Sequence, residues 1–174
     1  MRFFSTALSA LAIALLASPA ARAGECKFIN TTIVTTFSFT SCESPFGICT
    51  EGTIDTGELT GTTWFTAQTI APGDDPDVLL YTGQLVITTE SGTLTLNDNG
   101  LLNGATGQYL ETQDVLGGTD LYSDATGTLR SQGMATGTGF AGSLRGAVCA
   151  GGDPTIFNGV VASEAFARLM ELRQ

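Results

Sequence analysis

Two side chains in the segment YLETQDV are the strongest candidates for chemistry in this sequence. Tyr109 and Glu111 stand two positions apart, so a β-strand would direct both side chains to the same face. On an enclosed face, burial would raise the pKa of the Glu111 carboxyl and let it carry a proton, while the Tyr109 hydroxyl orients a ligand. The opposite register turns Leu110 and Thr112 inward and leaves Glu111 in water. Glu111 and Tyr109 are therefore the candidate catalytic residues, with the choice of face left open.

Four further residues are candidate ligand contacts on other predicted strands. Aromatic rings and hydroxyls can line a cavity, and carboxylates that point into it can act as acid or base. These candidates are Trp64, Tyr81, Glu51 and Asp114. The alternative is core packing for the two aromatic residues and a solvent-facing position for the two carboxylates.

The chain contains no histidine, which excludes several kinds of site. A Ser-His-Asp or Cys-His nucleophile and a histidine-bearing zinc site cannot be built from it. The acidic stretches GDDPDV and NDNG lack the ligand spacing of a known calcium loop and are interpreted as turns. We therefore expect no metal and no cofactor, so that any catalysis uses carboxylates, tyrosines, arginines or cavity shape.

The N-terminal residues have the three-part pattern of a secretory signal peptide. Arg2 precedes the apolar run ALSALAIALLA, and small residues follow at Ala21 and Ala23. The apolar run is well short of the roughly 20 residues that a spanning helix needs. We expect cleavage after Ala23 and a secreted or periplasmic protein, with an uncleaved N-terminal anchor as the alternative.

The composition favours one acidic β-domain. The chain has 22 glycines, 14% charged and 43% hydrophobic residues, which is typical of a sheet protein with tight turns and not of a disordered chain. Its formal net charge of −10 becomes more negative when Arg2 and Arg22 leave with the signal peptide. Because such a domain repels phosphate backbones and anionic lipid surfaces, neither nucleic acid nor, after signal cleavage, a membrane is an expected partner.

β-rich segments recur about every ten residues with turn signals between them. They are CKFINTTIVTTFSFTSC, CTEGTIDTG, GTTWFTAQTIA, VLLYTGQLVITTE, TLTLND, QYLETQDV, TLRSQGMATG and GFAGSLRGAVC. The apolar alternation of Leu79, Tyr81, Leu85 and Ile87 indicates one enclosed face. We expect an all-β fold of about eight strands, which form a sandwich or a barrel.

The four cysteines form an even set, which in a secreted chain indicates two disulfides. Cys42 and Cys49 flank one predicted hairpin loop. Barrel closure places the last strand beside the first and brings Cys149 to Cys26. We therefore predict the pairs Cys26–Cys149 and Cys42–Cys49, with free or metal-binding thiols as the alternative.

The glycine-rich turn GGTDLYSDATG, together with CTEGTI, LTGTTWF, LYTGQLVITTESGTLTLND and GTGFAGSLRGAVC, resembles the allene oxide cyclase and dirigent-protein barrel superfamily. Secreted members of that group carry a turn of the type Gly-Gly-Thr-Gly-aromatic-x-Gly-Ala-Thr-Gly, in which Asp120 and Asp124 replace two glycines here. Asp tolerates the left-handed conformation, so the turn can survive. The resemblance implies that eight strands close into an antiparallel up-and-down barrel whose apolar interior holds a small molecule, and it transfers no active-site residue to a numbered position.

The predicted organisation is a signal peptide over 1–23, a barrel domain over 24–149 and a C-terminal extension over 150–174. In the extension, Ser163 and Glu164 begin a short predicted helix, EAFARLMELRQ, which would pack against the barrel or against a second subunit of a homo-oligomer.

The expected function is that of a secreted barrel that binds a small hydrophobic molecule and directs its cyclisation or coupling without a cofactor, as a cyclase or isomerase. The alternative is a non-catalytic extracytoplasmic structural or interaction module whose interior is filled by side chains. The volume of the interior cavity distinguishes the two hypotheses.

Overall fold

Residues 25–150, which a computed structural model describes, form a closed antiparallel barrel of eight strands. Every strand pairs with its neighbours in the chain, and the last pairs with the first. In chain order the strands are β1 (Glu25–Ser38), β2 (Cys49–Ile54), β3 (Gly61–Pro72), β4 (Val78–Thr89), β5 (Gly92–Asn103), β6 (Gln108–Gly118), β7 (Thr126–Ala135) and β8 (Gly139–Ala150). This confirms the predicted all-β, eight-stranded antiparallel barrel. The predicted signal peptide and C-terminal helix lie outside the described residues.

The strands alternate between a buried and an exposed face, as a pleated sheet around an apolar interior requires. In β1, Ile33 is buried and its neighbour Val34 is exposed. In β8, Leu144 is buried and Arg145 is exposed. The side chain period of two therefore sorts each strand into residues that line the interior and residues that face outward.

Strand β5 is longer than the sequence predicts. The segment NGLLNGATG is expected to turn, but β5 continues to Asn103, and the turn is closed by the Gly107 amide, which donates to the Asn103 carbonyl at 2.7 Å. Leu102 lies opposite Leu79 in β4 and Tyr109 in β6. Pairing on both sides outweighs the local turn preference of Asn and Gly.

The loop between β6 and β7 contains a single turn of 3-10 helix, η1 (Asp120–Tyr122). Asp120 has a φ of 51°, so it adopts the left-handed conformation expected for an Asp in place of glycine. The buried Tyr122 side chain donates a hydrogen bond from its hydroxyl to the Glu58 carbonyl at 3.4 Å. Within residues 25–150, no helix is long and apolar enough to cross a membrane.

The barrel interior has a packed half and a hollow half. Leu59, from the β2–β3 loop, and Tyr122 lie in the packed half, at the end of the barrel where β1 begins and β8 ends. The strand residues buried with them are Ile29, Ile33, Ile54, Leu85, Ile87, Leu94, Leu96, Leu129, Leu144 and Val148. The opposite half contains a cavity, which is described below.

Two disulfides stabilise the two ends of the barrel. Cys26 and Cys149 are direct partners in the β1–β8 register and are bonded across a sequence separation of 123. Cys42 is bonded to Cys49, seven residues later, across the loop that joins β1 to β2. Both predicted pairs are confirmed, and no cysteine in residues 25–150 is free.

The two disulfides are expected to contribute unequally to stability. Replacing Cys26 and Cys149 by Ser should lower the free energy of unfolding by about 5 kcal/mol, and replacing Cys42 and Cys49 by about 2.5 kcal/mol, because loop-closure entropy grows with loop length. Denaturation followed by the fluorescence of Trp64, the single tryptophan, measures both losses. Equal losses, or a free thiol in non-reducing peptide maps, would contradict this assignment.

Candidate functional site

The hollow half of the barrel contains a cavity of about 170 Å³. Its outer part is apolar and includes Phe37 and Leu79, whose side chains are 38% and 41% exposed, so the cavity opens to solvent at this end. The volume is close to the roughly 150 Å³ of an apolar protein cavity that accommodates benzene. The cavity therefore has room for a group about the size of one six-membered ring.

Polar side chains from four consecutive strands form the inner part of this cavity. They are Tyr81 in β4, Asp98 in β5, Tyr109, Glu111 and Gln113 in β6, and Ser131 in β7. The three residues of β6 occupy alternate positions, so the pleat directs all of them inward. We call these six residues the polar floor.

Hydrogen bonds join the polar floor into a network. The Tyr81 hydroxyl donates to Glu111 Oε1 at 2.7 Å. The Gln113 amide nitrogen donates both to Asp98 Oδ2 at 3.0 Å and to Glu111 Oε2 at 3.2 Å. The Ser131 hydroxyl donates to the Tyr109 hydroxyl at 3.1 Å. The Gln113 amide therefore bridges two carboxyl groups in the interior of the barrel.

Burial changes the protonation of both carboxyls. Desolvation raises the pKa of Asp98 well above its ordinary value, and the negative charge of Glu111 raises it further, against a smaller opposing effect of the hydrogen bond from Gln113. Desolvation also raises the pKa of Glu111, partly offset by hydrogen bonds from Tyr81, Ser131 and Gln113. Glu111 therefore has the property required of a group that exchanges a proton with a ligand.

The two tyrosines of the polar floor stay protonated. Desolvation raises the pKa of Tyr81, and the neighbouring Glu111 charge raises it further. Desolvation likewise raises the pKa of Tyr109, although the hydrogen bond with Ser131 opposes it. Both hydroxyls therefore keep their protons over the ordinary pH range: Tyr81 donates its proton to Glu111, and Tyr109 can donate to a ligand.

Two glycines allow the tyrosine rings to lie across neighbouring strands. A Cβ atom at Gly100, which is opposite Tyr81, would overlap the Tyr81 ring, and a Cβ atom at Gly142 would overlap the Tyr109 hydroxyl. Any larger residue at either position would displace the ring it faces. These two glycines therefore position the hydroxyls of the polar floor.

The structure brings three of the six sequence candidates into one site. Tyr109 and Glu111 both face the interior, which decides the register that the sequence leaves open, and Tyr81 contacts Glu111. The Glu111 side chain is half-buried and lines the cavity, and the alternative outward position does not occur.

The other three candidates lie on the outer face and do not line the cavity. Glu51 pairs with Trp64 in the register of β2 and β3, and the Trp64 indole donates to the Thr66 hydroxyl at 3.1 Å. Asp114 accepts a hydrogen bond from the Thr128 hydroxyl at 3.2 Å. The pleat explains this placement, because their chain neighbours point inward.

Three residues of the site are missing from the sequence candidates: Asp98, Gln113 and Ser131. Asp98 follows Leu94 and Leu96 at the same spacing of two, so the alternation of buried leucines places it inside. The interpretation of NDNG as a turn conceals this signal. Gln113 is likewise two positions beyond Glu111.

Comparisons of the chain with protein-family models, with curated proteins and with solved structures give no match. Residues 25–150 form a closed antiparallel barrel with a small cavity. The outer part of this cavity is apolar, and its inner part contains the two carboxyls.

The buried carboxyls make stability dependent on pH in a particular direction. Because their pKa values are raised in the folded state, the folded protein binds more protons than the unfolded chain between the unfolded and folded pKa values. Stability should therefore fall as pH rises through this window, by at most about 1.4 kcal/mol per pH unit for each carboxyl. Other titratable side chains of the polar floor are Tyr81 and Tyr109, which stay protonated.

The variant Asp98→Asn tests this dependence, because it removes one charge and keeps the shape. It should unfold at a higher temperature than the parent protein near pH 7, with a difference that shrinks towards pH 4, in thermal scans at several pH values. The exposed Asp124→Asn is the matched control and should not show this trend. A parent protein that gains stability relative to Asp98→Asn as pH rises would contradict the raised pKa.

Proposed function

We propose that the barrel binds a small hydrophobic molecule in its cavity and catalyses a cofactor-independent cyclisation or isomerisation of it. The observation that carries this proposal is the buried Asp98–Gln113–Glu111 bridge at the floor of an otherwise apolar cavity. No basic residue within 25–150 lines the cavity, and two buried carboxyls without such a neighbour lower the stability of a folded protein, so a purely structural barrel gains nothing from them. A site that transfers protons needs such groups.

The proposed mechanism assigns one role to each group of the polar floor. The Glu111 carboxylate removes a proton from a carbon of the ligand and returns it to another atom of the same ligand, so the reaction conserves all atoms and needs no oxidant. The Tyr109 hydroxyl donates a hydrogen bond to the oxygen on which negative charge develops, while the Tyr81 hydroxyl keeps its hydrogen bond to Glu111. The Gln113 amide, which also donates to Asp98, holds Glu111 in place and opposes the rise of its pKa. Oxidative coupling would need radicals from a separate enzyme, so we favour isomerisation.

We also propose that the protein is a secreted member of the allene oxide cyclase and dirigent-protein barrel superfamily. The eight-stranded antiparallel barrel and the left-handed Asp120 in the glycine-rich turn are consistent with that resemblance. The two disulfides support an oxidising compartment outside the cytoplasm. The alternative proposal, a structural or interaction module, is favoured by the densely packed half of the interior.

Filling the cavity tests the binding proposal. Ala67 is a buried cavity residue of β3, and Ala71 is an exposed residue of the same strand. We expect toluene to bind the parent protein and Ala71→Leu equally, and to bind Ala67→Leu at least about tenfold more weakly, because the added methyl groups occupy its space. Chemical shift titration by NMR measures all three affinities. Failure of toluene to bind the parent protein would favour the structural alternative.

Proton exchange tests the catalytic role of Glu111. Cyclohexanone fits the cavity by size, and a carboxylate beside its α-carbon should accelerate exchange of the α-protons for deuterium in D₂O. We expect Glu111→Gln to bind cyclohexanone normally and to lose about a hundredfold or more of the exchange rate, because the amide cannot accept the proton. The exposed Glu90→Gln should exchange at the parent rate. Full exchange activity in Glu111→Gln would exclude Glu111 as the base.

A further inference from the structure

We infer that the ligand of this cavity carries a protonated amine, which binds to Asp98 Oδ1 and Gln113 Oε1 while its apolar part fills the outer cavity. The inference rests on the proposed binding function and specifies the chemical class of the ligand. It leaves Glu111 free for proton transfer.

The first argument is the hydrogen bonding of the polar floor. Asp98 and Gln113 are each 1% exposed, and Asp98 Oδ1 and Gln113 Oε1 have no hydrogen-bond partner among the described residues. The Thr35 hydroxyl, which also lines the cavity, is likewise without a partner there. Unpaired buried acceptors are costly, so a group that fills the cavity is expected to satisfy them.

The second argument is which kind of atom can satisfy these acceptors. The Gln113 amide nitrogen already donates to both carboxyls, so its oxygen is the side-chain atom that lacks a partner among the described residues. An ionised carboxylate also offers only acceptors. The missing partner is therefore a donor, and an ammonium group supplies three N–H donors from one atom.

The third argument is charge. The basic residues within 25–150 are Lys27, Arg130 and Arg145, and none of them lines the cavity. Lys27 pairs with Glu58 at 2.8 Å, and Arg145 is exposed on the outer face. A pair of buried carboxyls without a cation is strongly unfavourable when ionised. A cationic ligand supplies the charge that the protein does not.

The size and polarity of the cavity limit the rest of the ligand. With about 170 Å³ behind an apolar mouth, the cavity accommodates one ring or a short alkyl chain next to the amine. A neutral alcohol offers one donor and no charge, so it should bind less well than the amine of the same shape. The predicted ligand class is thus a small aryl-alkyl or alkyl primary amine that also carries the oxygen required by the proposed isomerisation.

Binding should be linked to proton release. Tyr81 on β4 and Glu111 and Tyr109 on β6 line the same cavity as Asp98; burial raises the pKa of all four side chains, so the tyrosines stay protonated and the two carboxyls are the groups that can lose a proton when an ammonium ion binds. An ammonium ion favours the ionised carboxyl, so a carboxyl that is protonated before binding must lose its proton. Affinity should rise with pH until the amine itself loses its charge.

Isothermal titration of three molecules of matched shape tests the inference: benzylamine, benzyl alcohol and toluene. We expect benzylamine to bind at least about tenfold more tightly than the other two, and to release protons, as buffers of different ionisation enthalpy reveal. In Asp98→Asn the advantage of benzylamine over toluene should disappear. The exposed Asp124→Asn should retain the full advantage.

The possible results separate the two proposals. If toluene binds and benzylamine binds no more tightly, the inference of an amine ligand is wrong and the binding of hydrophobic molecules stands. If none of the three binds the parent protein, the proposed function fails and the inference fails with it. Tight binding of Ca²⁺ alone that is lost in Asp98→Asn would also overturn the inference, because the unpaired oxygens would then belong to a metal site.

Discussion

The closure of the barrel by β1 and β8 is the constraint on which the rest of the structure depends. The two strands pair from Glu25 opposite Ala150 to Thr36 opposite Gly139, and the Cys26–Cys149 disulfide joins them within this register. Closure removes the sheet edges and defines an inside. In a closed barrel, side chains alternate between the interior and the solvent along each strand, and this alternation determines which of them are buried. The pKa values of the polar floor and the shape of the cavity both follow from that division.

The interior combines two halves with opposite energetic properties. The packed half buries leucine and isoleucine side chains around Leu59 and Tyr122 and supplies the hydrophobic stabilisation of the domain. The hollow half contains two carboxyls with raised pKa values and unpaired acceptors, which reduce stability. Such a division is typical of proteins in which a rigid scaffold holds a site that is not itself stable.

The geometry of the polar floor depends on small residues as much as on the polar ones. Tyr81 lies against Gly100, and Tyr109 lies against Gly142, because neither glycine has a side chain to occupy the space of the ring. The rings in turn place their hydroxyls next to Glu111 and Ser131. The glycines of this chain therefore have a role in the site beyond the turns that the sequence suggests for them.

The sequence alone determined the number and order of the strands, the inward face of β4 and both disulfides, since these depend on local alternation and on the order of elements along the chain. It also supplied Glu111, Tyr109 and Tyr81 as candidates.

The sequence could not choose the inward face of β6, since Glu111 and Thr112 are both polar and only the pairing with β5 and β7 decides between them. Asp98 continues the alternation of Leu94 and Leu96, but the residues next to it favour a turn. Its burial is therefore evident only from the pairing of β5 with β4 and β6. Trp64, Glu51 and Asp114 lie outside because the inward position on each strand is taken by an adjacent residue. The site is a tertiary property, because its residues come from four strands whose relative register is set by barrel closure and by no single segment.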